Sequence, residues 1–271
     1  MPLIDLRGQA TYYEDYGQGP VVILLHHGFA SCEMWRGILP HLVTSGHRVV
    51  MYDRRGYGRS HEGEDFREFY LSERFRLAMV DELAALASAL ELPAFHLVGQ
   101  CEGGVLALDY AARHPEQVKS LVVASTWCHS NGQVRAFNLE KFSTAFPALD
   151  EKIRRKMIAW HGEANAERRF ELFRYMGGAY GTSEFDLRPM LPGISQPSLI
   201  IYPDRSALFE VEQAVAFYRG LPNAELAVLP KCGHNTYEQK PQDYLRLVQD
   251  FLGRQERGED AGKAFVMTCA G

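Results

Sequence analysis

Cys101 lies in Gly99-Gln100-Cys101-Glu102-Gly103-Gly104, between the apolar run Phe95-His96-Leu97-Val98 and a helix-forming run from Val105 to Ala112. The order strand, tight turn, helix forces a strained backbone at the middle residue. Small neighbours are needed because other backbone must pass close by. Gly99, Gly103 and Gly104 meet that need, and the residue held out at the strand end is a nucleophile-capable thiol. The G-x-C-x-G-G pattern is a nucleophile elbow with Cys in place of Ser. Phosphate-binding loops require G-x-G-x-x-G or a G-K-[ST] ending, and neither is present. Acyl transfer from a carbonyl also needs a base for the nucleophile's proton and donors for the oxyanion. His234, in a loop after the last apolar strand, is the candidate base. The backbone N–H of Glu102, at the start of the helix, and that of Phe29 are the candidate oxyanion donors.

The elements that must position these residues alternate along the chain. Residues 2–7 and 10–16 read as two strands around a Gly8-Gln9 hairpin. Val21–Leu25 and Arg48–Tyr52 are apolar runs of the kind found in strands buried on both faces. Each ends in a polar, glycine-bearing loop, His26-His27-Gly28-Phe29 and Asp53-Arg54-Arg55-Gly56-Tyr57-Gly58-Arg59-Ser60. A helix is expected from about Glu33 to Val43. Another follows an N-cap at Ser72, with Phe75, Met79, Leu83, Leu86 and Leu90 on one face and Pro93 as its stop. Strands follow at Val118–Val123, Pro197–Tyr202 and Ala224–Leu229, with helices over Ala207–Arg219 and from Pro241 to about Leu252. Strands alternating with helices imply a mostly parallel α/β sheet covered on both faces. Residues 127–192 break the pattern, with charges and irregularly spaced aromatics such as Phe137, Phe142, Trp160, Phe170 and Tyr180. They are expected to form an inserted helical cap, its aromatics mainly cap core. The domain reading is core at 1–126 and 193–252, cap at 127–192, and a C-terminal tail at 253–271 whose apolar end, Ala264–Met267, could dock back on the domain.

Four stretches, in order and each at a strand end, resemble the α/β-hydrolase family from about residue 10 to 252. His27-Gly28-Phe29 resembles its oxyanion motif, and Asp53 to Ser60 its D-x-R-G-x-G-x-S loop. Gly99 to Gly104 resembles its elbow, and Gly233-His234 with Glu238 and Pro241 its catalytic-histidine loop. The resemblance implies the α/β-hydrolase fold, an eight-stranded sheet with one cap and a site at the strand ends. The cysteine elbow is itself similar to those of dienelactone hydrolases and polyhydroxyalkanoate synthases, though the rest of the chain is closer to capped esterase-like hydrolases.

Two departures shape the expected chemistry. The family's acid belongs at the position held here by Ser206 in Pro203-Asp204-Arg205-Ser206, and the nearby carboxylate is Asp204, two residues early. Either could orient His234. A thiol has a reference pKa near 8.5, lowered beside an imidazolium or at a helix N-terminus, so a Cys–His pair depends less on a carboxylate. Glu102 would raise the thiol pKa if it faced the pocket; the other reading turns it away into a polar contact near the cap. His26 and His27 read as shaping the oxyanion turn, His96 as a core residue, and His161 has no supporting context.

Composition bounds the rest. The 271 residues, 46% hydrophobic and 23% charged, suit a globular chain with a sizeable core. A net charge of −5, without a basic patch, excludes nucleic acid as the expected partner. No apolar run approaches a membrane span, and no signal peptide is legible, so a cytoplasmic location is expected. The five cysteines, Cys32, Cys101, Cys128, Cys232 and Cys269, are scattered without C-x-x-C, so reduced thiols are expected and no metal site or organic cofactor. The expectation is a hydrolase of a small carboxylic ester, thioester or lactone acting through Cys101 and His234. The rivals are acyl transfer, carbon–carbon bond cleavage, or a ligand binder on the same fold.

Overall fold

The computed structural model describes residues 2–175 and 177–259. One sheet of eight strands runs in the order β1-β2-β4-β3-β5-β6-β7-β8. The strands are β1 (Leu3–Leu6), β2 (Gln9–Tyr16), β3 (Val21–Leu25), β4 (Arg48–Tyr52), β5 (Phe95–Gln100), β6 (Val118–Ala124), β7 (Ser198–Pro203) and β8 (Ala224–Leu229). β2 runs antiparallel to β1 and β4, and the pairings from β4 through to β8 are parallel. Every residue of β3, β5 and β7 is buried. This is the physical counterpart of their unbroken apolar runs, since helices cover both faces.

The helices are α1 (Leu39–Thr44), α2 (Phe66–Tyr70), α3 (Arg74–Ala89), α4 (Glu102–Arg113), α5 (Val134–Lys141), α6 (Glu151–His161), α7 (Glu163–Phe173), α8 (Glu212–Gly220), α9 (Thr236–Gln239) and α10 (Pro241–Glu256). Two hydrophobic clusters lie on opposite faces of the sheet. One joins α3, α4 and α8 to the α5–α7 insertion through residues such as Phe75, Leu106, Phe217 and Phe173. The other joins α1 and α10 through Leu42, Val248 and Phe251.

Several sequence expectations are corrected in detail. The helix expected from Glu33 to Val43 is a short 3-10 turn, Cys32–Trp35, followed by α1. Gly37 weakens the helix between them, and Pro40, which lacks an N–H, fits only the first turn of α1. Ser72 does not cap α3; its hydroxyl donates to the Phe69 carbonyl at 2.7 Å, and Glu73 stands at the N-cap. The helix expected from Ala207 starts only at Glu212, and α10 runs past Leu252 to Glu256. The Ala264–Met267 segment and Cys269 lie outside the described residues.

Candidate active site

The turn between β5 and α4 holds Cys101 at φ 53°, ψ −115°. A residue with a side chain is held there at a cost of about 1–3 kcal/mol, so the surroundings must over-determine it. They do. Cys101 N–H donates to the Ala124 carbonyl of β6 at 2.8 Å, and its own carbonyl accepts from Gly104 N–H at 2.9 Å and Thr126 Oγ1 at 3.1 Å. A Cβ on Gly99 would overlap the Gly103 backbone, and one on Gly103 would overlap the Leu25 carbonyl of β3. The turn therefore closes only with glycine at both places.

Cys101 and His234 line one cavity of about 500 Å³ between the strand ends and the α5–α7 insertion. Among the described residues the hydrogen-bond partner of Cys101 Sγ is Tyr180 Oη, at 3.5 Å. Tyr180 also accepts from Trp127 N–H at 3.2 Å. Burial pushes the Cys101 thiol up to about 12, opposed by the Tyr180 contact and the Glu102 N–H and reinforced by the Glu102 charge. This corrects the expectation of a lowered thiol pKa: desolvation outweighs the helix N-terminus. Burial also lowers His234 to about 4. The resting pair is a neutral thiol and a neutral imidazole.

His234 is held by three elements. Gln100, the residue before the cysteine, donates its side-chain amide to the His234 carbonyl at 2.8 Å. Phe209 packs against the imidazole at 5.3 Å, ring to ring, nearly perpendicular. Ser206 Oγ lies 3.3 Å from His234 Nδ1. Ser206 Oγ also accepts Leu208 N–H at 3.1 Å and Phe209 N–H at 3.2 Å. Those bonds replace the helical start expected at Ala207. They also occupy both hydroxyl lone pairs, which leaves the Ser206 proton to point at Nδ1 and the imidazole proton on Nε2. Asp204 is not at the imidazole; its Oδ1 accepts from Cys232 N–H at 3.0 Å, and such backbone bonds hold its carboxyl below the usual range. The sequence left Asp204 and Ser206 open; the contact belongs to Ser206.

Glu102 combines its two readings: its side chain is held in a buried polar contact, and its charge still raises the thiol. It pairs with Arg54 at 2.7 Å, both side chains at most 3% exposed, and its carboxylate lies against Gly28 and Gly178. Arg54 carries this pair to the loop after β3 through Nη2, which donates to the His26 carbonyl at 3.1 Å and the His27 carbonyl at 3.3 Å. His26 Nε2 in turn accepts Arg54 N–H at 3.2 Å, while His26 Nδ1 donates to the His27 carbonyl at 2.9 Å. One guanidinium thus ties the elbow helix to the loop after β3. The loop differs from expectation at Phe29, whose N–H is not free. It donates to His27 Nδ1 at 3.2 Å. His27 Nε2 is buried without a hydrogen-bond partner among the described residues. Such an orphan donor costs about 1–3 kcal/mol.

The insertion contributes more than its sequence suggested. His161, at the end of α6, accepts Gly58 N–H at Nδ1 (3.1 Å) and donates from Nε2 to the Phe29 carbonyl (3.0 Å). Burial keeps it neutral, with its pKa lowered to about 4. Lys156 of α6 pairs with Glu238, close after His234, at 2.5 Å. Six aromatics expected mainly as cap core, Phe137, Phe142, Trp160, Phe170, Phe173 and Tyr180, also line the cavity, while Phe170, Phe173 and Tyr180 are buried in the core as expected. A second cleft, about 730 Å³, lies beyond α6 at Arg59, Arg168 and Arg169 and includes neither Cys101 nor His234. Among the described residues no group of His, Cys, Asp or Glu is arranged to hold a metal ion, and no helix is long and apolar enough to cross a membrane.

Arg54, Gln100, Tyr180 and His161 were not singled out from sequence. Arg54 and Gln100 lay inside motifs already marked, which was the available signal; Tyr180 and His161 carried none.

A mostly parallel sheet with the strained Cys101 turn after β5 and the His234 loop after β8 defines a class. Residues 20–166, more than half of the chain, match the family described as alpha/beta hydrolase fold, and the chain belongs to that family. It is similar to the proline iminopeptidase of Lactobacillus helveticus, 39% identical over 124 residues. That match covers 44% of this chain and 41% of the relative, so the chain spans less than half of that relative's length. It is 28% identical over 264 residues to the pimeloyl-(acyl-carrier protein) methyl ester esterase of Aeromonas hydrophila subsp. hydrophila, covering 89% of this chain and 98% of that one. The solved structure of the enol-lactonase from Burkholderia xenovorans LB400 shares the fold, with a TM-score of 0.74 at 18% identity over 93% of this chain and 100% of that one.

Proposed function

We propose that this chain is a thiol-dependent hydrolase of carboxylic esters, thioesters or lactones with an apolar, aromatic-sized acyl body. The observation that carries the reading is Cys101, held at φ 53° on the floor of an aromatic cavity that His234 also lines. The names of the relatives, an ester esterase and an enol-lactonase, support this substrate class. The α5–α7 insertion acts as the cap that sets specificity.

In the first half-reaction Cys101 Sγ bonds to the carbonyl carbon, and the carbonyl π pair moves to oxygen. The thiol proton passes to His234 Nε2 as the bond forms, because burial keeps the thiol protonated beforehand. The Glu102 N–H faces the sulfur and serves the oxyanion. Collapse breaks the acyl–oxygen or acyl–sulfur bond of the substrate, and His234 returns the proton to the leaving group. Water then attacks the acyl-thioester, its proton passing through His234 to release the acid and restore the thiol. The step requires the His234 tautomer with Nε2 free, so Ser206 must turn its proton away from Nδ1, and this slows the reaction.

A panel of p-nitrophenyl esters, thioesters and lactones tests the reading against Cys101→Ala. Turnover above that variant supports it, and none on any substrate sinks it. A ligand-binding protein on the same fold is the second reading, favoured by Ser206 standing where a carboxylate would charge the imidazole; retained binding of aromatic acids without turnover would point there.

A further inference from the structure

The oxyanion loop has a donor whose use the fold does not explain. Phe29 N–H is spent on His27 Nδ1 at 3.2 Å. A nitrogen that accepts a hydrogen bond carries no proton, so the neutral His27 ring has its proton on Nε2. Burial, followed by the nearby His234, holds this imidazole well below its ordinary pKa and keeps it neutral. His27 is only 8% exposed, and Nε2 has no hydrogen-bond partner among the described residues. Trp160 packs perpendicular to the ring at 5.3 Å and fixes its plane. The Arg54 bond to the His27 carbonyl fixes the backbone beneath it. His27 borders the same cavity as Cys101, Glu102 and His234.

His27 lines a cavity that holds a nucleophile candidate, and its buried Nε2–H has no acceptor among the described residues, so a ligand oxygen is the partner that would satisfy it. We propose that His27 Nε2–H is the second oxyanion donor, acting beside the Glu102 N–H in place of the Phe29 N–H. This makes His27 a catalytic residue, touching the oxygen that gains charge when Cys101 adds to a carbonyl. The role of the Phe29 amide is then to lock the imidazole in the donating tautomer. The proposal rests on the hydrolytic reading above.

Two substitutions separate the two nitrogens. Asn at position 27 places an amide oxygen near Nδ1, keeps the bond from Phe29 N–H and lacks the donor. Gln places an amide N–H near Nε2. For His27→Asn, kcat on a p-nitrophenyl ester falls about 100- to 1,000-fold, the effect of losing one oxyanion donor, with KM within threefold. His27→Gln recovers at least tenfold over His27→Asn. Alkylation of Cys101 by iodoacetamide, which forms no oxyanion, proceeds at the wild-type rate in both variants.

An aryl trifluoromethyl ketone adds an arm that needs no turnover. It forms a hemithioketal with Cys101, and its affinity falls about a hundredfold in His27→Asn. Equal affinity for wild type and His27→Asn, no addition to either, or an equal loss of kcat in Asn and Gln variants overturns the proposal. If wild type hydrolyses no ester but the ketone adds and His27→Asn weakens it, the hydrolytic reading fails and the donor assignment stands.

Discussion

Replacing Ser206 by Asp should accelerate the enzyme. The wild-type hydroxyl accepts two backbone N–H groups and sits 3.3 Å from His234 Nδ1. Its proton favours the tautomer in which Nε2 cannot accept from the thiol. When the imidazolium forms, Nδ1–H faces a group with no lone pair left and no charge. A carboxylate can accept the same two N–H groups and Nδ1–H as well. An imidazolium and a carboxylate about 4 Å apart attract by about 4 kcal/mol at an effective permittivity of 20, nearly a thousandfold in the proton-transfer equilibrium. Desolvating the new carboxylate cancels part of this, so a rise of about a hundredfold in kcat is expected. Losing the carboxylate's charge at unchanged geometry costs a serine protease about 10⁴ in kcat, and the thiol's smaller demand on its base scales that down. The assay is hydrolysis of a p-nitrophenyl ester across pH, with Cys101→Ala as background. The His234 pKa should rise from about 4, carrying the acid limb of the profile toward neutrality. A folded Ser206→Asp protein no faster than wild type, with its acid limb unmoved, would refute the assignment of Ser206 as the donor.

Three further outcomes are expected. Glu102→Gln leaves the Arg54 charge buried without its partner and should lower unfolding free energy by about 3–5 kcal/mol in urea titration; an unchanged midpoint contradicts the buried pair. His96, His161 and His234 are each lowered to about 4, so between that value and about 6.5 the native state binds fewer protons than the unfolded chain. The contribution of these histidines is therefore full above about pH 6.5 and falls as pH drops toward 4, with a slope approaching about 1.4 kcal/mol per pH unit for each; His26 and His27, also lowered, add to it, and Glu82, raised to about 7, offsets one of them, so a flat urea midpoint across that window contradicts it. With its thiol raised to about 12, Cys101 should be alkylated by iodoacetamide about tenfold faster for each pH unit between 7 and 9, and a plateau below pH 8 would show a depressed pKa instead.

The sheet was legible because its inner strands are buried on both faces and must be apolar throughout, as Val21–Leu25 is. The elbow was legible because only glycine permits the close approaches around Cys101. What escaped depends on which side chains a distant segment brings near. Nothing local in Tyr180 or His161 announces a partner more than 70 residues away. Ser206 was marked as the departure from the family pattern, yet its capture of the Leu208 and Phe209 amides, which displaced the expected helix start, is a tertiary choice between competing local bonds. The thiol pKa was read in the wrong direction for a related reason. The helix N-terminus is visible in sequence, whereas the depth of the cavity above it is not.

The α6 helix has a mechanical consequence. It is fastened to the loop after β3 by His161 and to the segment after His234 by Lys156, so it spans the cavity like a tie-beam. Lifting it to admit a substrate would pull both segments out of register. The opposite wall, around Phe142 and Leu149, is anchored differently: Ser143 and Phe146 bond to Arg174 and Glu171, and the Phe142 ring packs on Phe29 with centroids 4.7 Å apart. Both walls of the cavity therefore bear on the loop after β3, α6 through a hydrogen bond to the Phe29 carbonyl and the α5 side through the Phe29 ring, so a movement of either wall is felt at the same loop.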